Sequence, residues 1–413
     1  MPNRAQALRI IQALRDGKNC LESVSSFSAG REPLIEAASG YFEDLEIAGN
    51  AVVRWVRGRT GLGKTHFFAR LIELAHARNW VTSYVQISDP GYGTELHRFH
   101  EIYSAIVGNC LTKKLVGERE GKVDPGCVPG WDWILDEWWG RVRRLVAGSD
   151  SGDLPSYGAR DEITRQMAQL SRRWSLNSGF QAALRQYALA RADGDEDWAD
   201  LIRFWFKGED VHARDAETKS RFRAAGVPEP VNQRNSKEML RSLSAFITHL
   251  GYGGTLILLD ELENVLHQPP KGRKTSYTLL RELIDNVDDR QGMVRTAFYI
   301  SATPDVFDSE KGISEYEALA ERVILAGGST ANPAGAVIDL ASWPLTESDF
   351  AEMAVRIAGL HALAKNRELY PGAEKRLKEL LGKTLKKNPD LTARSWVKTV
   401  IKELDEIVLA KTA

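Results

Sequence analysis

No stretch of this 413-residue chain approaches the run of about 20 apolar residues that a membrane helix needs, or the shorter apolar core of a secretion signal. Met1 is followed instead by a charged, amphipathic segment (Arg4, Leu8, Ile11, Leu14, Arg15). Net charge is nearly absent too: 55 Lys and Arg stand against 56 Asp and Glu, so no global field draws a polyanion and any such contact must come from a local patch. Cysteine is scarce. Cys20, Cys110 and Cys127 are odd in number and too widely spaced for a metal knuckle, which excludes a disulfide framework and points to reduced thiols. Internal repeats and low-complexity tracts are missing. These absences lead us to expect a soluble, cytoplasmic protein with no membrane partner, long enough for more than one domain or one domain with an insertion.

The most informative feature present is Gly58-Arg59-Thr60-Gly61-Leu62-Gly63-Lys64-Thr65, a complete G-x-x-x-x-G-K-[ST] loop. It lies between a strand-like run, Ala51 to Val56, and a helix-like run, His66 to Ala77. Glycines let the backbone curl so that successive N–H groups and a helix N-terminus point at a polyphosphate. In this reading Lys64 neutralises the β- and γ-phosphates of ATP and the Thr65 hydroxyl is a ligand of Mg²⁺, with His66 opening the helix behind them. A plain glycine-rich turn capping a helix would need neither the lysine nor the hydroxyl.

The segments around this loop alternate. Residues 1–18 place Ala7, Leu8, Ile11 and Leu14 on one helical face, ending at Asp16-Gly17, and a second helix runs from Glu32 to Leu45. Trp80 to Ile87 reads as a strand and Glu95 to Leu111 as a helix. The alternation then stops between residues 112 and 235, a polar, helix-prone stretch carrying seven tryptophans (Trp131, Trp133, Trp138, Trp139, Trp174, Trp198, Trp205). It resumes with a helix from Ser236 to Leu250 and three apolar runs, Thr255 to Leu259, Thr296 to Ser301 and Ala336 to Leu340. Runs without polar alternation fit strands buried on both faces of a parallel sheet. The expected architecture is α/β: a phosphate-loop nucleoside-triphosphatase (P-loop NTPase) fold of the additional-strand class, with a five-stranded parallel sheet. Residues 1–111 supply the N-terminal helix and first half of the nucleotide-binding domain, 112–235 a helical insertion, 236–344 the second half and 345–413 a C-terminal helical lid.

The strand Leu256 to Leu259 runs into Asp260-Glu261. Two adjacent acids at the exit of an apolar strand are costly to bury without a task. Asp260 is assigned to Mg²⁺ and Glu261 to the orientation and deprotonation of an attacking water, with Glu263 as its rival. At the end of the next strand, Ser301 and Thr303 are candidates for a polar contact to the γ-phosphate; Thr303 is preferred because Pro304 keeps it extended. Arg322 closes an amphipathic segment, Tyr316 to Val323, and in a head-to-tail assembly would serve a neighbour's nucleotide as an arginine finger. The alternative is an arginine paired elsewhere in the fold; residues 318 and 319, alanine and leucine, exclude a partner within the helix. Arg394 begins a helix in the lid and would reach the nucleotide from there.

Together these features resemble the AAA+ ATPases, in particular the branch holding origin-recognition and initiator proteins, where a segment like Gly30-Arg31-Glu32 lies beside adenine. The similarity is closer still to the ATP-binding proteins of BREX phage-defence systems, the BrxD-like group. It rests on the N-terminal helix, Gly61 to Thr65, Leu96-His97-Arg98, Gly251-Tyr252-Gly253-Gly254 with the acids that follow, Ala302-Thr303-Pro304 and Tyr316 to Leu319. This resemblance implies a Mg²⁺-dependent ATPase, other defence-system proteins as partners, a helicase among them, and a nucleotide-dependent homo-oligomer. Unlike the initiators, the chain leaves no room after the lid for a full winged-helix domain, which puts sequence-specific DNA recognition in doubt. A nucleotide-switch scaffold and an initiator-like DNA loader are the other function classes.

Two patches remain. Lys365, Arg367, Lys375, Arg376, Lys378, Lys383, Lys386 and Lys387 make the lid locally basic, fit for non-specific DNA contact or for simple solvation. Trp131, Trp133, Trp138 and Trp139 sit among acids, which disfavours nucleic acid and leaves core packing of the insertion as the simplest role. An exposed aromatic cluster would instead make the insertion a removable docking lobe for a partner protein.

Overall fold

A computed structural model describes residues 2–18, 23–113, 130–147, 156–285, 292–325, 332–368 and 370–410. Cys20 and Cys127 lie outside the described residues. Six strands form one sheet: β1 (Ala51–Arg57), β2 (Val81–Gln86), β3 (Cys110–Leu111), β4 (Thr255–Asp260), β5 (Thr296–Ala302) and β6 (Val337–Asp339), in the order β3-β2-β4-β5-β1-β6. β1, β2, β4, β5 and β6 are mutually parallel. The five expected strands are therefore present, but the sheet has six. The extra one arises where a continuous helix was expected: α4 covers only Phe99–Gly108, and Gly108-Asn109 lets the chain turn back so that Cys110 and Leu111 pair antiparallel with Ser83 and Thr82.

Alternate residues of the central strands feed two cores. On one face Leu256, Leu258, Ala297 and Tyr299 meet α2 (Glu32–Ala48) and α3 (Lys64–Ala77) through Leu34, Phe42, Phe67, Phe68 and Leu71. On the other, Ile257, Leu259, Phe298 and Ile300 belong to a larger cluster with Phe99, Ile102, Trp131, Trp138, Phe180, Trp205 and Phe246. That cluster runs without interruption from the sheet into the insertion, whose described helices are α5 (Gly130–Ala147), α6 (Ser156–Arg173), α7 (Ser178–Asp193), α8 (Glu196–Phe206) and α9 (Ala216–Ala224). α10 (Ser236–His249) lies between them and β4. Trp131, Trp138, Trp139, Trp198 and Trp205 are all buried. The idea that these rings form an exposed aromatic docking surface is corrected accordingly: all five lie in the core that the insertion shares with the sheet, as the core-packing reading requires.

The C-terminal helices, α14 (Glu347–Ala364), α15 (Ala373–Lys387) and α16 (Ala393–Ala410), follow the sheet after α11 (Pro270–Asp285), α12 (Pro304–Asp308) and α13 (Glu317–Ala320). α14 starts with a capping box in which Thr346 and Asp349 satisfy each other's backbone N–H groups. The N-terminal helix α1 (Arg4–Asp16) packs into this bundle, burying Ala7, Ile10, Ile11 and Leu14 against Phe350, Met353, Trp396 and Val400. The expected face differs in one member, since Leu8 is 47% exposed and Ile10 is buried instead. Arg15 of α1 is paired at 2.9 Å with Asp405 of α16, which also accepts from buried His361 of α14 at 3.0 Å.

Candidate nucleotide-binding site

β1 ends at Arg57, and residues 58–63 form a loop before the 14-residue helix α3. Gly61 and Gly63 have φ of +87° and +91°, a region L side chains rarely adopt, so this path requires glycine at both. The loop curls round Lys64, whose buried ammonium donates to the Gly58 carbonyl at 2.9 Å and faces Glu263 at 3.6 Å. The unpaired N–H groups of the first turn of α3 open toward the same space, a setting that favours anions. Arg59 and Thr60 are exposed at the loop's outer edge.

Below the loop lies Asp260, 1% exposed, the last residue of β4. Its Oδ2 accepts from Thr65 Oγ1 at 2.9 Å and Tyr84 Oη at 2.8 Å; its Oδ1 accepts from the Glu261 N–H at 3.0 Å and from Ser301 Oγ. Four donors make the buried carboxylate tolerable. Burial first, and then the Asp260 charge, push the Tyr84 hydroxyl far up, so it stays a donor. Thr65 and Asp260 are hard oxygen donors of the kind Mg²⁺ takes. No group of three or more His, Cys, Asp or Glu that could hold a metal ion by itself is found among the described residues.

Glu261 is one of few non-glycine residues with positive φ, +60°. Such strain persists where surroundings over-determine it and concentrates at functional sites. Its carboxylate accepts from Gln86 Nε2 across the β2–β4 pair, whose register sets Gln86 beside Asp260. Of the two candidates ending β5, Ser301 reaches Asp260 with its hydroxyl, whereas Thr303 joins through its backbone N–H, which donates to Glu263 at 3.2 Å. Tyr84 and Gln86 were not singled out from sequence. Their only signal is polarity at alternate positions near the end of β2, which acquires meaning once β2 is known to neighbour β4.

A cleft of about 270 Å³ joins these groups to the helical cover. Thr60 to Phe67, Gly30, Arg31, Asp260, Glu261 and Glu263 line one side; Leu14, Gly17, Lys18, Leu345, Met353, Arg394 and Val397 line the other. The cleft is polar toward the loop, while its cover side sets an apolar wall of Leu14, Leu345, Met353 and Val397 beside Lys18 and Arg394. His66 is half-buried, and loss of solvent around its ring, followed by the charges of Arg70 and Arg31, lowers its pKa to about 4. Ser28 gives its single proton to the Val24 carbonyl at 2.6 Å, so neutral His66 donates from Nε2 to Ser28 Oγ at 2.7 Å. Arg31 directs its guanidinium at backbone carbonyls rather than into open cleft. Arg394 sits in the first turn of α16, in the cleft wall. Arg322 is outside the cleft, on a π-helical turn after α13, where it pairs with Asp285 (Nη2 to Oδ2 3.2 Å) and donates to the Ala318 carbonyl at 2.6 Å.

Sheet and cleft define a mixed α/β protein with a mostly parallel sheet, whose candidate site lies outside the carboxyl ends of its strands. No helix among the described residues is long and apolar enough to cross a membrane. The chain belongs to the family of BREX system ATP-binding proteins BrxC/D, whose model matches residues 3–412. Neither the curated proteins nor the solved structures contain a match.

Proposed function

We propose that this chain binds ATP with Mg²⁺ in the cleft and hydrolyses it, as an AAA+-type ATPase serving a BREX phage-defence complex. The observation that carries the reading is the joining of Lys64, Thr65, Asp260 and Glu261 at the mouth of one glycine-rich loop. The strand order, with β5 between β1 and β4, supports the additional-strand class. Loop N–H groups and Lys64 bind the β- and γ-phosphates, and the apolar wall receives the base. Thr65 and Asp260 would hold Mg²⁺, which supplies charge neutralisation on the phosphate oxygens. Glu261 accepts a proton from water as the water oxygen bonds to the γ-phosphorus and the bond to the ADP oxygen breaks.

Two contacts favour slow turnover by the isolated chain: Glu261 is engaged by Gln86, and Arg322 by Asp285. Assembly with further copies or defence-system proteins would release both, leaving the scaffold reading as a resting state of the ATPase. Lys64→Ala should lose nucleotide affinity, while Glu261→Gln should bind ATP normally and lose at least about 100-fold in turnover, the usual contribution of a general base. Fluorescent-nucleotide titration and phosphate release on both variants decide this. Near-normal turnover in Glu261→Gln would remove Glu261 as the base.

A further inference from the structure

Two backbone connections join the body made of α1 and α14–α16 to the sheet: residues 17–31 before α2, and 340–346 after β6. The body itself is one packed unit, with a shared core and the Arg15–Asp405–His361 links. Both connections meet at Arg31. Its Nε donates to the Trp343 carbonyl at 3.0 Å and its Nη2 to the Leu340 carbonyl at 3.5 Å, both in the second connection. Its Nη1 donates to the Leu62 carbonyl at 2.8 Å, in the middle of the glycine-rich loop. Arg31 has φ of +65°, which few L residues adopt, and its neighbour Gly30 backs so closely on α14 that a Cβ there would lie 2.8 Å from Asp349 and Leu345.

We infer that Arg31 is a positioning residue that couples the state of the phosphate loop to the orientation of the helical cover. The inference rests on the ATP-binding reading. A guanidinium is a rigid planar fork, so its donors cannot follow one carbonyl without shifting at the others. Leu62 lies between two glycines, the most easily rotated peptides of the loop. When loop N–H groups turn onto a phosphate, the Leu62 carbonyl on the opposite edge of that backbone turns with them. Arg31 carries the displacement to Trp343 and Leu340, four and seven residues before the start of α14. Half-buried among carbonyls, with loss of solvent lowering its pKa to about 10, the guanidinium still holds its charge at neutral pH.

The test uses the full chain with Cys20 and Cys127 replaced by serine and spin labels at Lys378→Cys on α15 and Glu36→Cys on α2, both exposed positions. Distance distributions are measured with and without a non-hydrolysable ATP analogue, and nucleotide affinity is titrated on the same samples. In the parent chain nucleotide should shift the distribution. Arg31→Met should broaden the nucleotide-free distribution and abolish the shift at saturating nucleotide, while affinity falls by roughly 10-fold for one lost charged hydrogen bond to the loop. Arg31→Lys, which can serve only part of the fork, should recover affinity more than the shift. Retention of the full shift in Arg31→Met, or a parent chain that binds nucleotide with no shift, overturns the coupling. A parent chain that binds no nucleotide overturns the ATP reading instead; an unbroadened nucleotide-free distribution in Arg31→Met then overturns the clamp independently.

Discussion

Replacing Trp131 by alanine tests whether the insertion and the sheet are one cooperative structure. The Trp131 ring is fully buried, with centroids 6.4 Å from Phe180, 5.3 Å from Phe206 and 5.9 Å from Phe246. Phe180 and Phe206 belong to the insertion, whereas Phe246 is on α10, which leads directly into β4. A buried Trp→Ala change typically costs about 3–5 kcal/mol through lost transfer energy and the cavity left behind. Trp131 Nε1 has no hydrogen-bond partner, so its removal returns about 1 kcal/mol and the expected loss is near the lower end, about 3 kcal/mol. With a urea dependence of about 3 kcal/mol per molar, the midpoint should fall by about 1 M. Unfolding followed by circular dichroism and by loss of bound fluorescent nucleotide should shift together, although Trp131 makes no contact with the cleft. A nucleotide-binding transition that stays in place while the helical signal moves would refute the shared core and restore the insertion as a separable lobe.

Gln86→Ala removes the group that holds Glu261 and should raise ATP turnover by the isolated chain several-fold with nucleotide affinity unchanged; a fall in turnover would mean that Gln86 aims the carboxylate instead of restraining it. Burial, the largest cause for each, holds His66 and His76 near pKa 4, below the ordinary value of 6.5, so the fold keeps both neutral. Their contribution is then complete above about pH 6.5 and lost as pH falls toward 4, by at most about 3 kcal/mol for each residue. Urea midpoints should fall between pH 7 and 5, His66→Gln should flatten the slope, and an unchanged slope would refute the His66 assignment. If Arg322 serves a neighbour's nucleotide, mixing Arg322→Ala with Glu261→Gln chains should restore part of the phosphate release that each lacks; no recovery at any ratio, with a monomeric mass in ATP, removes the finger.

The parts of the site that are contiguous in the chain were legible in its sequence, and the parts that meet only through the sheet were not. Residues 58–65 carry their own geometry, because the two left-handed glycines and the following helix need no outside support to form an anion-directed turn. Asp260-Glu261 stands out because the strand before it is buried on both faces, which makes two acids conspicuous. Tyr84 and Gln86 have no such contrast: each is an ordinary polar residue until β2 is placed beside β4, and Ser301, visible as a polar residue ending its strand, shows that it serves Asp260 only once β5 lies on the other side of β4. Trp131 and Trp138 show the same limit from the other side, since composition gives a cluster of rings but not the face it covers. β3 escaped because two residues are too short for any periodic signal.

That division bears on the mechanism. The elements legible in sequence, Lys64, Thr65, Asp260 and Glu261, are those the proposed ATP cleavage requires, and they say little about when it would fire. The groups assembled by the fold act on them: Gln86 occupies Glu261, Tyr84 and Ser301 fix Asp260, Arg31 ties the loop to the cover, and Asp285 engages Arg322. Each of these contacts ends on a residue proposed to handle nucleotide, so each is a place where the fold would act on the proposed reaction. Regulation is therefore expected to reside in the strand-neighbour and connector residues, so their substitution should change the rate or its response to assembly while changes at Lys64 or Glu261 simply end it.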